Sequence, residues 1–349
     1  MTDETILQVK DLRTYFYTDA GVVKAVDGIN FDLRKGEVLG IVGESGSGKS
    51  VTNLSIINLV SPPGRIKSGE VLFHGKDLLK MGDKEIRSIR GNKISMIFQD
   101  PMTSLNPFLK ISTQMEETIQ LHQGLSKKEA KAKAVEMLKL AGIPGAEERI
   151  DCYTHQFSGG MRQRVMIAMG LSCNPEILIA DEPTSALDVT IQAQILDLMK
   201  DLTKRLGTAV ILITHSLGVV AGMCDTINVM YAGRTVERAS TKDLFASPKH
   251  PYTQGLINSV PRLDRELDEK LYSIPGTPPN VIDLPPCCPF YPRCSKAFDM
   301  CKKAYPEVTD FGNNHTCSCW LYAKKDAGKI NLTTEVSASQ TQDNGGKNE

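Results

Sequence analysis

The sequence predicts an α/β protein: a mainly parallel sheet flanked by helices, followed by a small cysteine-rich module. Three observations carry this reading. Residues 41–50 read IVGESGSGKS, so Gly43–Ser50 fits the spacing G-x-x-x-x-G-K-[ST]. Apolar runs at Val38–Val42, Ile177–Ala180 and 209–215 read as buried strands that end in polar residues. Helical stretches alternate with these strands, as parallel pairing requires.

Each fixed place in the first stretch has a physical reason. Glycines let the backbone curl until its N–H groups converge on phosphate oxygens. Lys49 sets a positive charge against the β and γ phosphates, and the Ser50 hydroxyl can coordinate Mg²⁺. The segment Ser50–Leu59 reads as a helix whose positive N-terminus faces the phosphates. Gly43, Ser45, Gly46, Ser47, Gly48, Lys49, Ser50 and Val51 are therefore the candidate nucleotide contacts. A flexible Gly/Ser linker is the competing reading, and the flanking strand and helix argue against it.

The 349 residues fit about two domains, and 41% hydrophobic residues can bury a substantial core. Lys+Arg and Asp+Glu balance at 41 each, so no overall field draws the chain to nucleic acid or anionic lipid. No run approaches the ~18 apolar residues of a spanning helix, and MTDETILQVK lacks a signal-peptide core. A cytosolic protein is expected, with any membrane role mediated by a partner.

Before the phosphate loop, ILQVKDLRTYFY and VVKAVDGINFDL alternate as antiparallel strands do. Tyr15, Phe16 and Tyr17 are candidates to stack on an adenine ring; packing within a small sheet accounts for at least two of them. SGEVLFHGKDL (68–78) reads as a further strand with a turn at Gly75–Lys76. The strand in ISMIFQDPMTSLNP (94–107) ends at Gln99. From 108 the pattern turns helical. Ser126 and Glu129 form a capping box, and Gly142 and Pro144 close that helix.

FSGGMRQR (157–164) opens another helix with bare N–H groups at Ser158, Gly159 and Gly160, a second potential phosphate site. EILIADEPTSALD (176–188) places Asp181 and Glu182 at a strand end, where one carboxylate can serve Mg²⁺ and the next can orient or deprotonate water. AVILITH ends in His215, and TINVMYAGRTVERA (226–239) reads as a final hairpin turning at Gly233. In such sheets ligands bind beyond the strands' C-terminal ends. The phosphate loop, Gln99, Asp181, Glu182 and His215 all lie there.

With these residues in order, the chain resembles the ATP-binding subunits of ABC transporters, most of all those of oligopeptide/dipeptide importers, over about residues 5–325. GESGSGKS resembles the Walker A motif, FSGGM the signature, ILIADE the Walker B motif with its glutamate, and SALD (185–188) the D-loop. Gln99 and His215 resemble the Q-loop and H-switch residues, and Phe16 the aromatic that stacks on adenine. Met161 departs from the family's usual Gln. The resemblance implies an ABC-type P-loop ATPase core (1–246), with an antiparallel β subdomain and a helical subdomain at about 101–165. It implies a head-to-tail pair of ATPase subunits. Lys49, Ser50, Gln99 and Asp181 would hold phosphate and Mg²⁺, Glu182 would be the general base or water-orienter, and His215 would position the γ-phosphate. Ser158–Gly160, with Asp188 in the D-loop, would serve the nucleotide at the subunit interface. A second ATPase subunit, two transmembrane permease subunits and an extracytoplasmic peptide-binding protein are the implied partners, at the cytoplasmic face of the membrane.

Of nine cysteines, Cys152, Cys173 and Cys224 are scattered, whereas Cys287, Cys288, Cys294, Cys301, Cys317 and Cys319 crowd together. In a cytosolic protein such a cluster suggests metal before disulfides. Cys288, Cys294, Cys301 and Cys319 give C-x5-C-x6-C-x17-C, which matches neither the short pairs of common zinc sites nor ferredoxin spacing. Spacing thus leaves zinc and iron–sulfur open; resemblance to the peptide-importer C-terminal domain (247–325) favours a [4Fe–4S] cluster. Cys287 and Cys317 depart from the family pattern, and either could substitute as ligand. Residues 326–349 read as a disordered tail. Three rival functions stay open: an importer of nickel or another small solute, a soluble ABC ATPase of DNA repair or translation, and a redox sensor whose cluster gates ATP use.

Overall fold

The computed structural model describes residues 4–185, 187–260, 273–282 and 284–323, without the side chains of Pro101 and Met102. The expected tail at 326–349 lies outside the described residues.

The strands, in chain order, are β1 (Thr5–Thr18), β2 (Gly21–Arg34), β3 (Val38–Val42), β4 (Gly64–Phe73), β5 (Lys76–Asp77), β6 (Ile94–Ile97), β7 (Ile177–Asp181), β8 (Ala209–Thr214), β9 (Thr226–Tyr231), β10 (Arg234–Ser240), β11 (Thr309–Asp310) and β12 (Thr316–Cys317). The helices are α1 (Lys49–Ile56), α2 (Asp83–Ile89), α3 (Pro101–Ser104), α4 (Ile111–Gln123), α5 (Lys127–Leu140), α6 (Ala146–Arg149), α7 (Gly159–Leu171), α8 (Val189–Leu206), α9 (Leu217–Met223), α10 (Thr241–Ala246), α11 (Pro251–Asn258) and α12 (Asp299–Lys303). Two sheets result. One is antiparallel, ordered β2-β1-β4-β5; the other is eight-stranded, ordered β11-β12-β10-β9-β3-β8-β7-β6. From β9 to β6 the larger sheet is parallel.

The parallel strands are apolar on both faces because both faces are covered. In β7, Ile177 and Ile179 join a core shared with the antiparallel sheet, while Leu178 and Ala180 join the core beneath the helices. In β8, Ile211 and Ile213 oppose Val210 and Leu212 in the same way. The helical run from α3 to α7 packs on the second core through Ile111, Met115, Ile119, Leu138 and Ile150. The capping box forms as expected: Glu129 N–H meets Ser126 Oγ, and Ser126 N–H meets Glu129 Oε2 at 2.9 Å.

One expectation needs correction. β9 and β10 form the hairpin at Gly233, but it is not final: β12 pairs with β10 at Glu237↔Cys317, so the cysteine-rich extension continues the core sheet. Strands of two residues are too short to show alternation in the sequence. Glu237, fully buried, anchors this junction. Its carboxylate accepts the N–H groups of Lys249 (2.7 Å) and His250 (2.8 Å) and meets His315 Nε2 at 2.8 Å. Asp27 joins the two sheets, accepting from Arg13 (2.7 Å), Tyr15 (2.7 Å) and Arg234 (2.6 Å).

Candidate functional site

The phosphate loop leaves β3 and turns into α1 at Gly48. There φ is 97°, and an added Cβ would lie 2.0 Å from the Ala25 carbonyl oxygen, so only glycine fits. Lys49, 6% exposed, folds back on its own loop and donates to the carbonyls of Gly43 (2.9 Å) and Glu44 (3.0 Å). Burial pulls its pKa down, against Glu182, Asp181 and Glu44, which favour the charged form. Ser47 and Gly48 line the turn, with the Ser47 carbonyl fixed by Gly233 N–H at 3.0 Å. Ser45 and Gly46 border a cleft of about 170 Å³ that Pro278–Val281 also line. The Val51 side chain packs on the core shared with the antiparallel sheet, leaving its backbone N–H at the head of α1.

The strand ends converge on this loop. Ser50 Oγ donates to Asp181 Oδ1 at 3.1 Å across 131 positions of sequence. Burial raises the Asp181 pKa; the Ser50 hydrogen bond opposes it, Glu182 adds to it, and Lys49 opposes it. Glu182 follows in the left-handed region at φ 45°, its N–H tied to the Ile213 carbonyl at 2.9 Å. Gln99 Nε2 donates to Glu182 Oε2 at 3.1 Å, and His215 Nδ1 lies 3.2 Å from Glu182 Oε1. Four separate segments of sequence thus meet around one carboxylate pair beside Lys49.

The three aromatics of β1 separate. Tyr15 is spent on Asp27, Tyr17 is 44% exposed, and Phe16 lies across Gly64, where an added Cβ would come within 2.6 Å of its ring. Ser158 caps α7, accepting the Met161 N–H at 3.4 Å, and Gly159 is exposed beside it. Asp188 caps α8, accepting the Ile191 N–H at 3.0 Å. Neither Ser158–Gly160 nor Asp188 is hydrogen-bonded to the phosphate loop of the same chain among the described residues. Met161 instead takes its Sδ to Arg149, at 3.3 Å.

A model of the ABC transporter family matches residues 26–185, and one of the oligopeptide/dipeptide transporter C-terminal region matches 236–301. The oligopeptide transport ATP-binding protein OppD of Haemophilus influenzae is 52% identical over 320 residues, 92% of this chain and 98% of that protein. The dipeptide transport ATP-binding protein DppD of Bacillus subtilis is 53% identical over 319 residues, covering 91% and 95%. The chain belongs to the family of oligopeptide/dipeptide ABC transporter ATP-binding proteins.

Two solved structures share this family's ATPase fold. One is a dimeric ATP-binding cassette in a post-hydrolysis state with ADP and phosphate (TM-score 0.61, 29% identity, 68% of this chain and 99% of that one). The other is CbiO1 of Clostridium perfringens, part of a transporter complex (TM-score 0.60, 32% identity, 70% and 92%). The protein is an ABC-type ATPase. No helix among the described residues is long and apolar enough to cross a membrane.

In the cysteine-rich extension, Cys288, Cys294 and Cys301 of the matched C-terminal region and Cys319 beyond it lie near enough to act on one another electrostatically. Burial pushes the Cys288 thiol up to about 12 and Cys319 up to about 11, and neighbouring thiols add to both. Cys287 is raised by burial alone, and Cys317 by burial, then by Glu237 and by the thiols of Cys319 and Cys288, so Cys317 also lies beside this group. Among the described residues no three His, Cys, Asp or Glu side chains converge as ligands of a single metal ion. A closed tetrahedral zinc set is therefore not formed, and the geometry by itself assigns no metal.

Sequence reading missed Glu44 of the phosphate loop and the two residues that meet it there, Tyr252 and Arg293. The pairing of Glu44 with Arg293, 249 positions apart, leaves no local pattern. It also missed an apolar groove of about 280 Å³ lined by Ile57, Leu59, Met96, Phe98, Leu105 and Met169. The sequence carried one signal, an aromatic at Phe98 immediately before Gln99 at a strand end, and the structure leaves that ring 44% exposed.

Proposed function

We propose that this ATPase is the motor of a membrane importer for di- or oligopeptides, working at the cytoplasmic face of the membrane through permease subunits. The single observation that carries the catalytic part is the Glu182 carboxylate, held by Gln99 and His215 beside the Ser50–Asp181 pair. The peptide part rests on relatives named for oligopeptide and dipeptide transport.

Lys49 and the loop N–H groups would receive the β and γ phosphates, with Phe16 against the adenine. Mg²⁺, which Ser50, Gln99 and Asp181 would hold, supplies charge neutralisation of those phosphates when bound. Glu182 orients or deprotonates the attacking water, and His215 steadies Glu182 and the γ-phosphate. Phosphoryl transfer needs mainly positioning and charge compensation, which this set supplies. Ser158–Gly160 and Asp188 make no hydrogen bond to their own loop among the described residues and would serve a second ATPase subunit docked head to tail, alike or different. The groove beside Gln99 fits an apolar segment of a permease subunit, so closure around ATP would move the permease. A peptide-binding protein would act through that permease, and balanced charge supplies no overall field toward nucleic acid.

Cys288, Cys294, Cys301 and Cys319 suit a [4Fe–4S] cluster better than zinc. A cubane carries its own irons and sulfides and so needs its thiolates farther apart than one ion does. Bound, it would supply positive charge that holds the thiols deprotonated in a buried site.

The test is reconstitution with permease subunits and binding protein in vesicles. Peptide uptake that needs ATP and disappears with Glu182→Gln is the expected result. Uptake of nickel but not peptide would overturn the substrate class, and salt-sensitive micromolar nucleic-acid binding without transport would revive the DNA or translation role.

A further inference from the structure

Arg293 reaches from the cysteine-rich region into the phosphate loop. Its Nη1 donates to Glu44 Oε2 at 2.6 Å and its Nη2 to Oε1 at 2.9 Å, a two-pronged pair. Arg293 Nη1 also meets the Tyr231 hydroxyl at 3.3 Å, and Nε donates to the Pro275 carbonyl at 2.9 Å. The Arg293 side chain is 5% exposed and that of Glu44 26%. Glu44 is the second residue of the phosphate loop, and each of its polar groups is engaged. Its N–H donates to the Tyr252 hydroxyl at 2.9 Å. Its carbonyl accepts from Lys49 at 3.0 Å and from Ser47 N–H at 3.2 Å, and its carboxylate is taken by Arg293.

We propose that Arg293 is a positioning residue of the ATP site, through which the cysteine-rich turn fixes and neutralises Glu44 of the phosphate loop. Two physical effects act together. A carboxylate beside a loop built for polyphosphate repels the ligand unless a cation compensates it. A loop already held in one shape loses less conformational freedom when the phosphates arrive. The turn that carries Arg293 spans Tyr291–Arg293 and lies between Cys288 and Cys294: Tyr291 N–H bonds the Cys288 carbonyl at 3.1 Å, and Cys294 N–H the Tyr291 carbonyl at 3.3 Å. The shape of the cysteine region therefore sets where the guanidinium stands, and coupling of this kind is reciprocal between the two sites.

The inference rests on the assignment of Gly43–Ser50 as the ATP loop, so the experiment includes Lys49→Ala. Affinity of the purified full chain for MgATP is measured with a fluorescent ATP analogue, alongside the rise in Tm that ATP produces. Arg293→Gln is expected to weaken ATP binding about tenfold and to shrink the ATP-induced rise in Tm. Adding Glu44→Gln to it is expected to restore part of the affinity, because the uncompensated carboxylate is gone. A merely structural role for Arg293 gives no such rescue. In turnover, KM for ATP rises by more than kcat falls. Native ATP affinity in Arg293→Gln overturns the proposal, as does a weakening that Glu44→Gln leaves untouched. If Arg293→Gln does not fold, Arg293→Lys tests the fork alone: it keeps the charge and loses the second prong, a partial loss of affinity is expected, and native affinity there overturns positioning of the loop by Arg293. If Lys49→Ala also binds ATP as the native chain does, the ATP-loop assignment itself fails; if only Arg293→Gln does, the positioning role alone fails.

Discussion

His215 Nδ1 stands 3.2 Å from one carboxylate oxygen of Glu182, and Gln99 Nε2 stands 3.1 Å from the other. One side chain is thus gripped from two different strand ends. Glu182 also sits at φ 45°, a backbone conformation costing a non-glycine residue about 1–3 kcal/mol. The surrounding sheet holds that strain: Glu182 N–H is fixed to Ile213 on the adjacent strand. The carboxylate is aimed before any substrate arrives.

Glu182→Gln should therefore keep the fold and ATP binding and lose turnover. Gln is nearly isosteric but cannot accept a proton from water. A loss of about 10²-fold or more in kcat is expected, the usual contribution of a positioned general base. Steady-state hydrolysis together with equilibrium ATP binding checks this. Turnover within a small factor of native would remove Glu182 from its role.

Gly48→Ala should damage the loop more than its size suggests. The new Cβ would overlap the Ala25 carbonyl at 2.0 Å, and the residue would have to keep φ at 97°. Ala25 belongs to the antiparallel sheet, so relief of the clash moves that sheet or the loop. A loss of about 2 kcal/mol or more in stability, with weakened ATP binding, is expected. Denaturant unfolding with and without ATP measures both, and an unchanged midpoint would show that the loop relaxes freely.

The parts of this site that were legible in the sequence share one property. Each stands at the end of an apolar run or in a loop of fixed spacing: Lys49, Ser50, Gln99, Asp181, Glu182 and His215. Local pattern records such positions because the strand before them must be buried. The Glu44–Arg293 pair, the Glu237 anchor and the Asp27 bridge have no such record. Their partners come from segments far apart in the chain, and an isolated Arg or Glu carries no mark of the residue it will meet. The two-residue strands β11 and β12 escaped for a different reason, since alternation cannot show in two positions. Phe16 lay between. The sequence offered three aromatics; the structure engages the Tyr15 hydroxyl with Asp27, leaves Tyr17 exposed and lays Phe16 across Gly64.

Cys294→Ser should cost the protein bound iron, whereas Cys287→Ser should not. Cys294 lies within electrostatic reach of Cys301 and Cys319, while no other thiol acts on Cys287. Anaerobically purified native chain is expected to carry about four irons and four sulfides and to absorb broadly in the visible. Iron and sulfide analysis of the three proteins is the measurement. Zinc in the native chain would replace the cluster by a structural ion, and full iron in Cys294→Ser would remove that residue from the ligand set.

Asp27→Asn should destabilise the protein at neutral pH and matter less in acid. Burial alone would raise the Asp27 pKa, but the hydrogen bond from Tyr15 and the charges of Arg234 and Arg13 outweigh it, and the net shift is downward. A carboxylate whose folded pKa lies below its unfolded value of about 3.9 stabilises the fold above that value. The stabilisation fades as pH falls through the folded pKa, where native and unfolded chains are both protonated. Asn keeps the shape, cannot carry the charge, and leaves Arg13 and Arg234 without a common anion. Loss of charge-assisted hydrogen bonds at this part-buried bridge is worth about 2 kcal/mol at pH 7. Because Asp27 joins the antiparallel sheet to β10, the loss falls on the junction between the two sheets. Unfolding midpoints for native and variant chains at pH 7 and near pH 3 give the comparison. A gap that narrows in acid is expected; an equal gap at both pH values would show that Asp27 acts by shape and not by charge.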